Sequence, residues 1–200
     1  MKKIDIKNFL DELFLNARCE LNYTNHFELL VAIVLSAQTT DLKVNKVTPV
    51  LFSKYPTIND LATSQLEDVV NILNPLGLAN NKGKNIIKLA NEILKLGEIP
   101  HNQEGLEALP GVGRKTANVF LAEGLGINRF AVDTHVSRVA YRLKITDSLD
   151  PKVIETDLMK FFEGDNWIKL HHQFIFFGRY FCLARKPECN NCKLKKYCRL

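Results

Sequence analysis

Apolar residues recur along the 200-residue chain at spacings of three and four, and no convincing alternating stretch interrupts them, so the pattern predicts an all-α fold. Residues 5–17 carry the first stripe, with Ile6, Phe9, Leu10, Leu13 and Phe14 on one face. Residues 26–37 are apolar nearly all round, which marks a central buried helix. The polar loop "SAQTTD" follows and can cap a helix over 42–54. Ser64 with Glu67 three positions later reads as a capping box for a helix ending before "NPLG". "NKGKNIIKLANEILKL" is amphipathic at helical spacing and stops at Gly97. A short helix over 103–108 then leads through "LPGVG" into another over 113–123. Asp133 is placed to N-cap 134–143, and Asp150-Pro151 supplies an N-cap and first-turn proline for 151–162. A last helix over 167–181 delivers the chain to a cysteine-rich end, making roughly ten helices in all. "GLGINRFAV" at 124–132 is the best place for the chain to cross between two domains.

Composition sharpens this picture. A hydrophobic content of 46% supports a sizeable core and argues against disorder. The longest apolar stretch, "LLVAIVLSA", is too short to cross a bilayer, and charges break up any signal-like segment at the N-terminus. The expectation is a cytoplasmic protein with no membrane partner. The net charge of +5 is unevenly placed: residues 182–200 hold Arg185, Lys186, Lys193, Lys195, Lys196 and Arg199 against the single acid Glu188. The rest of the chain is balanced. A concentrated basic patch points towards nucleic acid more strongly than a diffuse total does.

Four of the five cysteines share that segment, as Cys182, Cys189, Cys192 and Cys198, with six, two and five residues between them. Without a secretory signal, clustered thiols point to metal rather than to disulfides. Four thiolates satisfy tetrahedral zinc or the corners of an iron–sulfur cube, and a single close pair flanked by wider gaps favours the larger cluster while leaving zinc open. The loop "LARKPE" tethers Arg185 and Lys186, which lowers the entropy cost of presenting them to a phosphate backbone.

In "LPGVGRKTANV", Pro110, Gly111 and Gly113 allow a tight turn whose amide groups, with the positive end of the next helix, favour an anion. Leu109, Gly111, Gly113 and Arg114 are therefore candidate DNA contacts. Lys115 stands where a helix end disfavours a cation by about 0.3–1 kcal/mol. Holding any lysine neutral near pH 7 needs about 4 kcal/mol, so desolvation and the charge of Arg114 have to supply the remainder. A neutral amine there can attack an electrophilic carbon and form a Schiff base; the simpler role is a direct phosphate contact. Asp133 has two readings as well, a helix N-cap or a carboxylate that supports a cationic sugar and moves a proton.

"LPGVGRKTAN", Asp133 in "AVDTH", and the C-terminal cysteines, with "LSAQTTD" and "GLANNKGKNI" before them, closely resemble the endonuclease III family over nearly the whole chain. The resemblance implies a bifunctional DNA glycosylase and abasic-site lyase of the helix-hairpin-helix superfamily. Its fold would comprise a six-helix domain over 21–132 containing the hairpin, and a discontinuous domain, 1–20 with 133–200, holding a [4Fe–4S] cluster on the four cysteines. The active site would lie in the cleft between them. Lys115 would attack C1′ of a damaged, flipped-out oxidised pyrimidine nucleotide and then promote β-elimination, with Asp133 assisting. Gln38, Leu78 and His135 would enter the gap left by that nucleotide. The partner implied is double-stranded DNA containing damaged bases or abasic sites, bound by a monomer associated with a prokaryotic nucleoid. Ala79 departs from the aromatic residue the family often carries after "GL", and Cys19 matches no functional position. Two rivals remain: an adenine-specific mismatch glycosylase, which lacks a lysine at this position and carries a further C-terminal domain, and a non-catalytic DNA-binding scaffold, which needs neither Lys115 nor Asp133.

Overall fold

A computed structural model describes residues 1–200 and contains eleven α-helices and no strand. No helix is long and apolar enough to cross a membrane. The chain divides into a continuous unit, Glu20–Gly126, and a split unit built from Met1–Cys19 and Ile127–Leu200. The second junction falls at Gly126–Ile127, inside the 124–132 segment expected to carry the crossing but earlier than the 132/133 boundary that the resemblance implies. The reason is packing: Phe130 and Val132 are buried in the core of the split unit.

The continuous unit is organised around α2, His26–Leu35, whose residues 29–35 are all buried. Its surface, apolar nearly all round, makes it central, because every side has to be met by another element. Around it pack α3, Asp41–Lys54, α6, Ala79–Leu96, and α8, Arg114–Leu125, while the short α7, Gln103–Glu107, lies against α8. Two further helices, α4, Ile58–Ala62, and α5, Leu66–Leu73, pack on α6.

The capping box occurs one element earlier than the sequence pattern indicates. Thr57 and Asp60 cap α4 reciprocally, with Asp60 N–H donating to Thr57 Oγ1 at 3.1 Å and Thr57 N–H to Asp60 Oδ2 at 3.0 Å. Ser64 instead turns its hydroxyl back to the Leu61 carbonyl at 2.6 Å, and α5 begins after Gln65 with no side-chain cap. A serine just after a helix can satisfy that helix's orphan carbonyls as readily as it can start the next one.

The split unit contains α1, Lys2–Phe14, α9, Thr134–Arg142, α10, Pro151–Phe161, and α11, Trp167–Phe176. Phe130, Phe162 and Phe174 form its aromatic centre, with ring centroids 5.6–6.4 Å apart. The helix expected over 167–181 changes character at its end: Phe177–Phe181 form a π-turn closed by Cys182 N–H on the Phe177 carbonyl at 2.6 Å. The wider turn re-aims Cys182 and leaves the Gly178 carbonyl to accept from Arg138 Nη2 at 2.6 Å.

Carboxylates tie α1 to the distant end of the chain. Asp5 accepts from the Tyr197 hydroxyl at 2.6 Å and pairs with Lys196 at 2.8 Å, while Asp11 pairs with Lys169 at 2.6 Å. Asp165 receives both Lys3 and Lys7. Burial alone would raise the Asp165 carboxyl, but the two lysine ammonium groups outweigh it and hold the group below the usual carboxylate range. Hydrogen bonds from Lys196 and Tyr197 lower Asp5, and the bond from Lys169 lowers Asp11. Carboxyls lowered in the folded state contribute stability that is complete above their unfolded values and lost as pH falls through the folded ones. We therefore expect the thermal midpoint to drop between about pH 5 and pH 2, and to drop less steeply in Asp165→Asn; equal slopes in a melting series would contradict this account.

Candidate active site

Leu109-Pro110-Gly111-Val112 form a β-turn in which Val112 N–H donates to the Leu109 carbonyl at 3.1 Å. Proline at the second position and glycine at the third, with φ +78°, are what a type II turn requires. A Cβ on Gly111 would lie 3.2 Å from both Asn85 Cβ of α6 and Val34 Cγ1 of α2, so the turn is seated directly on these two helices. Leu109 is only 4% exposed, and its side chain belongs to the core rather than to an outer surface. Gly113 differs from Gly111. It precedes α8 with extended backbone, φ −99° and ψ 177°, and a Cβ there would meet nothing within 4 Å.

No side chain caps α8, and its first turn holds Arg114 and Lys115 with no acid. Both cations are half-buried, and Arg114 reaches back across the turn to 3.9 Å from Glu107 of α7. The exposed amide groups and positive end of α8 thus form an electropositive corner with a primary amine in it.

In the split unit, Asp133 is the N-cap of α9: its Oδ1 accepts from the His135 and Val136 amides, both at 2.8 Å. The N-cap role is therefore real, and it aims a carboxylate at the start of the helix. His135 Nδ1 lies 3.3 Å from Arg138 Nη2. Gly178 permits this packing, since a Cβ there would come within 2.9 Å of His135 Cβ.

Gln38 and Leu78 share an unusual backbone. Both are non-glycine residues in the left-handed region, at φ 57° and 52°, and both are exposed, Leu78 by 56%. Leu78 is thus not a core residue. Backbone strain of this kind at exposed residues is a feature of functional loops. Lys82, one turn into α6, was not anticipated from sequence; it is 6% exposed and donates its Nζ to the Leu35 carbonyl at 2.9 Å.

Cys182, Cys189, Cys192 and Cys198 line one cavity with Arg142, Phe177, Phe181 and Lys195, enclosing about 390 Å³ including its open mouth. None of the four is disulfide-bonded, and no three metal-binding side chains converge as a single ion requires. Burial pushes the Cys192 thiol up, partly offset by the Leu194 amide. Arg142 Nη1 donates to Cys182 Sγ at 3.3 Å and to the Leu183 carbonyl at 2.7 Å, while Nη2 reaches the Ala184 carbonyl at 3.1 Å. Arg138 Nε adds a bond to the Cys182 carbonyl at 3.3 Å. Arg185 and Lys186, on the loop so held, are exposed, and Lys186 is left-handed at φ 52°. Arg138 and Arg142 escaped the sequence reading because their partners lie 40 or more residues away, with no spacing pattern to betray them.

A lysine beside a helix-hairpin-helix turn, joined to a four-cysteine segment, defines the class: residues 31–164 match the "HhH-GPD superfamily base excision DNA repair protein" family. The chain is 45% identical to the Endonuclease III of Bacillus subtilis (strain 168) over 193 residues, which cover 95% of this chain and 88% of that protein. It is 40% identical to the Escherichia coli (strain K12) Endonuclease III over 199 residues, covering 98% and 94%. The fold superposes with TM-score 0.92 and 43% identity on a trapped Endonuclease III–DNA covalent intermediate, covering 100% of this chain and 96% of the other. A thermostable thymine-DNA glycosylase, at 21% identity and TM-score 0.88, shares the fold. The chain belongs to the endonuclease III family.

The two turn glycines make separate demands. Gly111→Ala forces a left-handed alanine against Asn85 and Val34 and is expected to cost about 1–3 kcal/mol, whereas Gly113→Ala stays within about 0.5 kcal/mol of the parent in denaturant unfolding. Equal losses at both positions would refute the distinction.

Proposed function

We propose that this chain carries out base-excision DNA repair as a bifunctional glycosylase and abasic-site lyase, removing oxidised pyrimidines with Lys115 as nucleophile and Asp133 as its proton-transfer partner. The observation that carries the proposal is the amine of Lys115 in the uncapped first turn of α8, directly behind the hairpin turn.

The hairpin binds first. Gly113, Arg114 and the free amides of α8 take a backbone phosphate, with Gly113 leaving room for close approach. Arg185 and Lys186 add further phosphate contacts from their tethered loop. The damaged nucleotide leaves the stack at a cost of a few kcal/mol, and Gln38, Leu78 and His135 recover part of it by filling the gap. The neutral amine of Lys115 forms a bond to C1′ as the C1′–N bond to the base breaks, and the base departs with that electron pair and takes up a proton. The amine gives up a proton, and as the C1′=N bond forms the C1′–O4′ bond breaks, O4′ taking the electron pair and a proton to leave a ring-opened iminium. Loss of a C2′ proton then expels the 3′ phosphate, and water releases Lys115. Asp133 stabilises positive charge at the sugar and exchanges the moving protons. The partner is duplex DNA carrying damaged bases or abasic sites, met by a monomer in the cytoplasm at the nucleoid.

The four cysteines would hold a [4Fe–4S] cluster. A cavity ringed by the four thiols and walled by Phe177 and Phe181 supports this assignment. When bound, the group cross-links the C-terminal segment so that the loop carrying Arg185 and Lys186 keeps one conformation. Arg142 and Arg138 orient Cys182 for that role by fixing the backbone on either side of it.

Two experiments test these assignments. With abasic or oxidised-pyrimidine duplex and borohydride, the wild type is expected to give a covalent adduct that Lys115→Ala loses while still binding DNA; an unchanged adduct in Lys115→Ala overturns the nucleophile. In the same series Gly113→Ala weakens DNA binding without loss of stability. Asp133→Asn keeps a good N-cap and so keeps folding, but slows base release by about a hundredfold or more. Separately, the purified protein is expected to show visible absorbance with four iron and four sulfide per chain, and Cys192→Ser to lose both; stoichiometric zinc would replace the cluster assignment.

A further inference from the structure

Lys82 is a buried amine that the chemistry above does not use. It sits on α6 one turn beyond Leu78, and its own amide donates to the Leu78 carbonyl at 3.0 Å. Its Nζ crosses to the Leu35 carbonyl at 2.9 Å, the last residue of α2. The other free carbonyls at the end of α2 are taken locally: Ser36 N–H reaches Ala32 and Ile33, and Ala37 N–H reaches Val34. Leu35 alone is served from another helix. A water molecule would satisfy that carbonyl at far less cost than burying an ammonium group, which burial drives below its usual value. The negative end of α2 favours a cation there and offsets part of the cost.

The two ends joined by this bond are those that lead to the residues with left-handed backbone. Three residues past Leu35 stands Gln38, and one helical turn before Lys82 stands Leu78. The hairpin uses the same junction, since Gly111 is seated between Val34, the neighbour of Leu35, and Asn85, one turn beyond Lys82.

We infer that Lys82 is a positioning residue: its bond from α6 to the end of α2 sets the spacing of Gln38 and Leu78, so that both fill the gap left by one extruded nucleotide. The inference rests on the gap-filling roles proposed above for those two residues. It predicts a specific split. Extrusion from a duplex depends on the bond, whereas the amine chemistry of Lys115 does not.

The test compares wild type, Lys82→Met, Leu78→Ala and the double variant on two substrates. The first is a duplex with an oxidised pyrimidine beside 2-aminopurine, whose fluorescence reports unstacking. The second is a single-stranded oligonucleotide with an abasic site, which needs no gap filled. Lys82→Met is expected to lose about tenfold or more in duplex unstacking and base release, while borohydride trapping on the single strand stays within about twofold. The double variant should lose clearly less than the product of the two single losses, because Lys82 acts in part through Leu78. Lys82→Arg, which keeps a cationic donor, should recover most of the loss.

Equal losses on both substrates, or multiplying losses in the double variant, overturn the inference. Should Lys82→Met not fold, Lys82→Gln carries the same expectations, and a folded Lys82→Arg protein that unstacks the duplex no better than these variants overturns it too. A wild type that forms no adduct on either substrate would instead defeat the proposed function, so the two failures are distinguishable.

Discussion

The left-handed backbone of Gly111 is the constraint on which the candidate site depends. With φ at +78° and space for a Cβ only 3.2 Å from Val34 and Asn85, the turn sits tightly on α2 and α6. That seat decides where α8 starts, and the start of α8 decides where the amine of Lys115 is held. Gly113, two residues later, is free of internal contacts, so one short loop separates a glycine needed by the fold from a glycine available to a ligand.

The same junction organises more than the hairpin. Lys82 spans from α6 to the end of α2, and the chain leaves both ends through exposed residues with left-handed backbone, Gln38 and Leu78. A buried ammonium is an expensive way to satisfy one carbonyl, but it is a stiff one, since breaking the bond strands a charge away from water. Stiffness is useful where side chains must be presented to a partner at a set spacing, because disorder there would have to be removed on binding.

The split unit reaches a similar end with other means. Arg138 and Arg142 lie on α9, the helix that Asp133 caps, and their guanidinium groups converge on the backbone around Cys182. Planar groups with several donors suit this task, since each can hold more than one carbonyl at once. The helix that Asp133 caps and the loop bearing Arg185 and Lys186 are thereby linked through shared hydrogen bonds. Aromatic packing of Phe9 with Phe177 and Phe181, and the acid–lysine pairs along α1, complete the enclosure of the cysteine segment.

Much of this was readable in advance where the cause is local. Helical periodicity, the N-caps Asp133 and Asp150, the left-handed stop at Gly97 and the turn chemistry of "LPGVG" each depend on residues within a few positions of one another, and each is found as expected. The sequence by itself determined the helical class, the turn that precedes Lys115, the N-cap at Asp133 and the grouping of four thiols. Where a local signal had two outlets, as Ser64 did between α4 and α5, tertiary context chose the other. Only the tertiary structure decided that Leu109 is buried while Leu78 is exposed, and that Lys82, Arg138 and Arg142 are the residues holding the loops. Each of those outcomes rests on contacts between segments distant in the chain, for which periodicity and spacing carry no signal.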